Sequence, residues 1–176
     1  PADTPTMPVA RAAVIGAGTM GGGIAMCFAN AGIPVILLET AQELLDKGME
    51  RIRGNYAVSL KRGRFTEEEV NEALARFSGT TDYADIADVD VVIEAVFENM
   101  DVKKDVFRKL DATCKPSTML ASNTSYLNVD EIAAVTKRPE LVLGAHFFSP
   151  ANVMKLLEVV RAQKASPGVE IGRAHV

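Results

Sequence analysis

The stretch Ala13-Val14-Ile15-Gly16-Ala17-Gly18-Thr19-Met20-Gly21 constrains this chain most. Apolar residues run into Gly16-x-Gly18-x-x-Gly21, and a helix-like segment follows from Met20 to about Asn30. Strand, glycine turn and helix in that order form the context in which the three glycines carry meaning. The first permits a tight turn, the second lets backbone approach a pyrophosphate, and the third lets helix and strand pack closely. Free N–H groups around Thr19 and Met20, with the helix dipole, suit negatively charged phosphates. The plain alternative is a glycine loop without a ligand.

A second feature favours the ligand. Pro34 to Leu38 reads as a second strand and ends in Glu39, 18 residues after Gly21. An acid about 20 residues beyond the glycines hydrogen-bonds the adenosine ribose in such folds. Its carboxylate would repel a 2′-phosphate, and Thr40 rather than arginine follows. NAD is therefore expected in preference to NADP. The alternative is an ordinary glutamate at a strand end.

The rest of the chain alternates in the same way. Gln42 to about Lys61 has helical spacing in Leu44, Leu45, Met49, Ile52 and Tyr56, weakened slightly by Gly48 and Gly54. Thr66 and Glu69 form a capping-box pair opening a helix to about Phe77. Lys61-Arg62-Gly63-Arg64 makes a basic turn between the two helices, either simply solvated or attractive to phosphates. Further strands are expected at 79–81, 88–95, 119–122, 141–145 and 154–160. Helices are expected at 101–112 and 129–134, the latter capped by Asn128 with Glu131. Such alternation predicts an α/β domain, a Rossmann-type doubly wound and mostly parallel sheet with an inserted helix pair after the second strand.

At 176 residues there is enough chain for one domain with a full core. The domain is expected over 9–168, with a proline-rich extended tail at 1–8 and a non-native or disordered tail at 169–176. The net charge of −4 gives no reason to expect a nucleic-acid partner, and no apolar run approaches the ~20 residues of a membrane span. Cys27 and Cys114 have no ligand partners nearby in sequence and read as reduced thiols, Cys27 in a core.

Ligands of open α/β sheets bind outside the carboxyl ends of the strands. Those ends carry Gly16, Glu39, then Glu94-Ala95-Val96-Phe97-Glu98, Ser122-Asn123-Thr124-Ser125, and His146-Phe147-Phe148-Ser149-Pro150. Ala95 belongs with Gly16 to the expected cofactor edge. His146 is one of two histidines and suits a base that takes a hydroxyl proton near neutral pH. Glu158, within Leu156-Leu157-Glu158-Val159-Val160, would orient its imidazole. Each has a plain alternative: a structural histidine, and a surface-facing glutamate.

GAGTMGGGIA, VIEAVFEN, SNTSYL and HFFSPANVMKLLEVV together resemble the L-3-hydroxyacyl-CoA dehydrogenases of fatty-acid β-oxidation, from about Arg11 to Val160. HFFSPA resembles in particular the dehydrogenase part of multifunctional β-oxidation enzymes, which carry an enoyl-CoA hydratase region upstream. The resemblance implies NAD as cofactor, an acyl-CoA substrate, His146 as base, Glu158 as its partner and Ser125 beside the substrate hydroxyl and nicotinamide. It places Glu98, Lys103, Asn123 and Ser149 near the NAD. Tyr126 stands where the family often has a second serine. The family's helical C-terminal domain, which supplies part of the acyl-CoA cleft and the dimer contact, does not follow here. On this resemblance the whole protein is a homodimer or larger complex, located in the bacterial cytoplasm or in a peroxisome or mitochondrial matrix. The present chain alone would be monomeric and carry little activity. The alternatives are a stand-alone 3-hydroxybutyryl-CoA dehydrogenase, or a dinucleotide-binding module without catalysis.

Overall fold

A computed structural model of the chain describes residues 7–154 and 156–171. Its centre is a seven-stranded sheet in the order β3-β2-β1-β4-β5-β6-β7. The strands are β1 (Ala12–Ile15), β2 (Val35–Leu38), β3 (Phe77–Thr80), β4 (Val91–Glu94), β5 (Met119–Ser122), β6 (Val142–Phe147) and β7 (Leu157–Val160). All neighbours pair in parallel except β6 and β7, which are antiparallel. The order of the first six is that of the two-half dinucleotide fold, and the chain reverses direction across the sheet between β1 and β4.

The central strands are short and apolar because both faces are covered. Val14, Leu37, Ile93 and Leu143 pack under α1 (Thr19–Asn30), α2 (Gln42–Lys61) and α3 (Glu67–Ala75), through Ile24, Phe28, Ile52, Tyr56 and Val70. Ala13, Ile36, Val92 and Leu120 face α4 (Met100–Thr113) and α5 (Val129–Ala133), through Phe107, Leu110 and Ile132. Successive residues of one strand thus serve opposite layers, as the two-residue side-chain period requires.

Local chemistry sets the helix ends. Thr66 and Glu69 make the expected capping box before α3. Asn99 caps α4 by accepting the Val102 N–H. Asn128 caps α5 through the Asp130 N–H, while Glu131 turns away to bind Lys104 Nζ at 2.9 Å.

Several boundaries differ from the expectation. α3 stops at Ala75 and β3 begins at Phe77, which pairs with Val35 of β2 and whose ring meets Tyr56 edge-on at 6.5 Å. β4 is shorter than 88–95; just before it, Asp90 turns its carboxylate onto the Ala10 and Arg11 N–H groups and Lys115. β6 continues past Ala145 through Phe147, so His146 lies within a paired strand. At the C-terminal end, α6 (Pro167–Ile171) carries Val169 into the core, where a tail had been expected from 169 onward. Residues 172–176, including His175, and residues 1–6 lie outside the described ones.

Candidate active site

The glycine turn leaves β1 with Gly16 at φ +98°, a left-handed conformation that L side chains rarely adopt. A Cβ at Gly21 would stand 1.8 Å from the Gly16 carbonyl oxygen, so α1 approaches the turn only because that atom is missing. Gly18 and Thr19 are exposed at the start of α1, and nothing lies within 4 Å of where a Gly18 Cβ would be. Met20 is half-buried behind them.

Glu39 stands at the end of β2 and reaches across to the turn. Its Oε1 accepts the Ala17 N–H at 2.8 Å and its Oε2 the Thr40 N–H at 2.9 Å. The Thr40 hydroxyl also reaches Oε2, at 3.5 Å; of the about four acceptor positions of an ionised carboxylate, the free one on Oε1 remains for a ligand's hydroxyl. Gly16, Gly18, Glu39, Ala95 and Phe97 line a cleft of about 390 Å³ at the point where the sheet reverses. Its shape and its donors and acceptors suit a dinucleotide's adenosine half.

At the other half, β6 and β7 place His146 and Glu158 directly opposite one another. His146 Nδ1 lies 2.9 Å from Glu158 Oε2. Its Nε2 faces Ser125 Oγ at 3.4 Å, and the Phe148 ring lies 4.7 Å from the imidazole. The carboxylate thus occupies Nδ1 and leaves Nε2 for a substrate. The His146 side chain is 22% exposed and that of Glu158 57%, so the pair stands at an open rim.

Below this rim Lys103, Glu94 and Glu98 form one cluster of charges. Lys103, expected near the cofactor, is completely buried. Its Nζ donates to both Glu94 oxygens, at 2.8 and 3.0 Å, and to the Asn123 carbonyl at 3.2 Å. Glu98 Oε2 is 3.3 Å from the same nitrogen. Ser122 Oγ and the Val96 N–H complete the shell of Glu94. Burial pushes the Glu94 carboxyl above its ordinary value, against the pull of Lys103, Ser122 and Val96. Burial also acts on Glu98, but Thr124, the Ser125 N–H and Lys103 outweigh it and hold that carboxyl below its ordinary value. Glu94 stands in the sequence only as a strand-end residue, yet it is the centre of this cluster. The available signal was a glutamate ending the otherwise apolar Val91-Val92-Ile93, with a lysine one helix entry further on.

The other expected residues fall around these groups. Asn123 Oδ1 accepts the Phe147 N–H at 3.0 Å and ties β5 to β6. The Ser125 N–H donates to Glu98 Oε1 at 2.9 Å. Ser149 is exposed on the loop after β6, outside the hydrogen-bonded groups. Cys27 donates to the Ala151 carbonyl, and burial raises both thiols to about 11, so neither is a thiolate at neutral pH. Among the described residues no group of His, Cys, Asp and Glu could hold a metal ion, and no helix is long and apolar enough to cross a membrane.

A Rossmann sheet, an acid at the end of β2 and a histidine–carboxylate pair over the second half define a dinucleotide-linked dehydrogenase domain. The family model of the 3-hydroxyacyl-CoA dehydrogenase NAD binding domain matches residues 11–170, and the chain belongs to that family. Its cofactor is NAD. Among relatives, the peroxisomal bifunctional enzyme of Danio rerio is 50% identical over 90% of this chain and 21% of its own length. The 3-hydroxybutyryl-CoA dehydrogenase of Clostridioides difficile is 45% identical over 89% of this chain and 56% of its own. The crystal structure of 3-hydroxybutyryl-CoA dehydrogenase from Escherichia coli superposes with a TM-score of 0.90 at 41% identity, covering 93% of this chain and 34% of that one. The chain thus spans between about a fifth and somewhat over half of these relatives' lengths.

Proposed function

We propose that this domain serves the oxidation of (3S)-3-hydroxyacyl-CoA to 3-oxoacyl-CoA in fatty-acid β-oxidation, with His146 as base. The observation that carries the reading is the 2.9 Å contact of His146 Nδ1 with Glu158, which leaves Nε2 beside Ser125. Bound NAD supplies the hydride acceptor. His146 Nε2 takes the proton of the substrate's 3-hydroxyl, Ser125 Oγ hydrogen-bonds the same oxygen, and the Glu158 carboxylate holds the imidazole and balances its charge as it forms. Gly16, Gly18, Thr19, Met20 and Gly21 would take the pyrophosphate, and Glu39 the adenosine ribose. Ala95, Asn123, Glu98 and Ser149 would border the nicotinamide half. Lys103 acts beneath them through Glu98.

The acyl-CoA reading draws support from a basic cleft of about 190 Å³ on α2. Arg51, Arg62 and Arg64 surround it together with Asn55 and Ser59. Three guanidinium groups at one mouth attract the phosphates of coenzyme A. A short-chain 3-hydroxybutyryl-CoA substrate is the second reading, favoured by the names of the Clostridioides and Escherichia relatives. The paired histidine and glutamate argue against a module without catalysis. We propose further that the whole protein is a homodimer or larger complex. For location we propose the bacterial cytoplasm or, in a eukaryote, a peroxisome, as the names of several relatives suggest.

The test is His146→Gln in the full reading frame, with acetoacetyl-CoA and NADH. Turnover should fall by roughly 10²–10⁴-fold, the usual cost of losing a general base, with NADH affinity nearly intact. Wild-type turnover would make His146 a structural residue.

A further inference from the structure

The buried charges under the sheet's edge take no part in the proton transfer, yet the contacts that place Ser125 run through them. Glu94 lies at the last position of β4, beside Ser122 at the last position of β5. Both of its oxygens are occupied: Oε1 by Lys103 Nζ and the Val96 N–H, Oε2 by Lys103 Nζ and Ser122 Oγ. Lys103 is anchored on this carboxylate with its remaining reach fixed. It meets the Asn123 carbonyl at 3.2 Å and Glu98 Oε2 at 3.3 Å. Glu98 then accepts from Thr124 Oγ1 and from the Ser125 N–H. Thr124 Oγ1 in turn accepts the Leu127 N–H and closes the turn around Ser125. Asn123 is held at its carbonyl by Lys103 and presents its amide oxygen to the Phe147 N–H, one residue beyond His146.

We propose that Glu94 is the positioning residue of the Ser125–His146 pair. It fixes the Lys103 ammonium, and the ammonium sets the places of Glu98 and Asn123, from which Ser125 and the end of β6 are held. The inference rests on the roles proposed above for Ser125 and His146. Two carboxylates share one ammonium here. With Glu94 neutralised, Lys103 has only Glu98 as an ionic partner and is drawn toward it, away from the Asn123 carbonyl. The displacement falls on the turn that carries Ser125. An exposed loop serine held only by its own turn would not respond to a change at the buried end of β4.

Amide hydrogen exchange read by NMR on this chain tests it. Glu94→Gln is compared with the parent, and Ser122→Ala provides a second, charge-neutral variant that removes one contact from Glu94 Oε2. In Glu94→Gln the Ser125 and Phe147 amides should exchange roughly 10- to 100-fold faster, the range for losing one hydrogen bond to a charged group. Ser122→Ala should give the same pattern at about 2- to 10-fold. The Val14 amide in the middle of the sheet reports global opening and provides the reference. Acceleration at Ser125 no greater than at Val14, in whichever variants fold, would overturn the positioning role and leave Glu94 as a stability residue alone. The exchange readout needs no turnover. Retained activity in His146→Gln would therefore refute the catalytic reading without touching this result.

Discussion

His146 and Glu158 are direct cross-strand partners, twelve residues apart in sequence and 2.9 Å apart between Nδ1 and Oε2. The antiparallel turn from β6 into β7 creates this contact, since it folds the chain back with these two residues facing the same way. Directly opposed side chains are the closest neighbours a sheet offers. Glu158→Gln should keep a hydrogen-bonding group in place but lose the charge that balances an imidazolium. Turnover of the full enzyme should fall by about 10²-fold. NADH affinity should stay within a factor of about two, because Glu158 lies outside the adenosine cleft. Steady-state kinetics with acetoacetyl-CoA and a parallel NADH titration decide the point; unchanged kcat would separate Glu158 from the chemistry.

Glu39 joins two functions that the sequence presents as one. Its position predicts a ribose contact, while its Oε1 also receives the Ala17 N–H of the glycine turn. Glu39→Ala should therefore narrow the preference for NADH over NADPH and weaken NADH binding as well, through a turn left without its acceptor. Fluorescence titration with both cofactors measures each effect. A preference that survives the substitution would remove Glu39 from ribose recognition.

Asp90 gives a pH dependence with a definite sign. The Lys115 ammonium, 2.7 Å away, and the N–H groups of Ala10 and Arg11 hold its carboxyl below the ordinary carboxylate value, against a modest effect of burial. A carboxyl depressed on folding stabilises the fold at pH values above its unfolded pKa of about 3.9. That contribution is lost as pH falls through the folded value. Asp90→Asn should thus be less stable than the parent at pH 6, and the gap should shrink as pH falls below the ordinary carboxylate value. Urea denaturation at a series of pH values tests this. A gap independent of pH would mean that the carboxylate's charge is not what ties β4 to the chain before β1.

Much of the fold was legible because its signals are local. The glycine turn, the apolar strands, the Thr66–Glu69 capping box and the acid at the end of β2 each lie within one or two elements, and each was read correctly as structure. The failures involve distance. Phe77 was counted into a helix because its pairing with Val35 of β2, 42 residues earlier, is what makes it a strand residue. That the Lys103 ammonium is sealed beneath two strand ends on Glu94 was likewise not legible, because nothing in a helix sequence reveals which strand ends its side chain meets. His146 was placed beyond its strand because the pairing that extends β6 comes from β7, which follows a loop with no periodicity of its own.

The same difference separates two glycines of α2 that look alike in sequence. Both were read as mild weak points in a helix. Around Gly54 nothing lies within 4 Å of an added Cβ. At Gly48 that Cβ would stand 2.4 Å from Ala17 Cβ and 2.8 Å from the Ala17 carbonyl oxygen. Gly48 is therefore the point at which α2 closes on the glycine turn, and the atoms it would meet belong to a small side chain and backbone that cannot rotate away. Gly54→Ala should stabilise the domain by about 0.4–1 kcal/mol, through the unfolded chain and helix propensity. Gly48→Ala gains the same propensity but must push α2 off Ala17. It should destabilise by about 1–3 kcal/mol, as overpacked sites do. Because Ala17 also donates to Glu39, its displacement should weaken NADH binding, whereas Gly54→Ala should leave binding unchanged. Thermal or urea unfolding gives the two signs, and NADH titration gives the second effect. If Gly48→Ala stabilised the chain like its partner, α2 could not be packed this closely against the turn, and the cleft at the end of β1 would have a different wall.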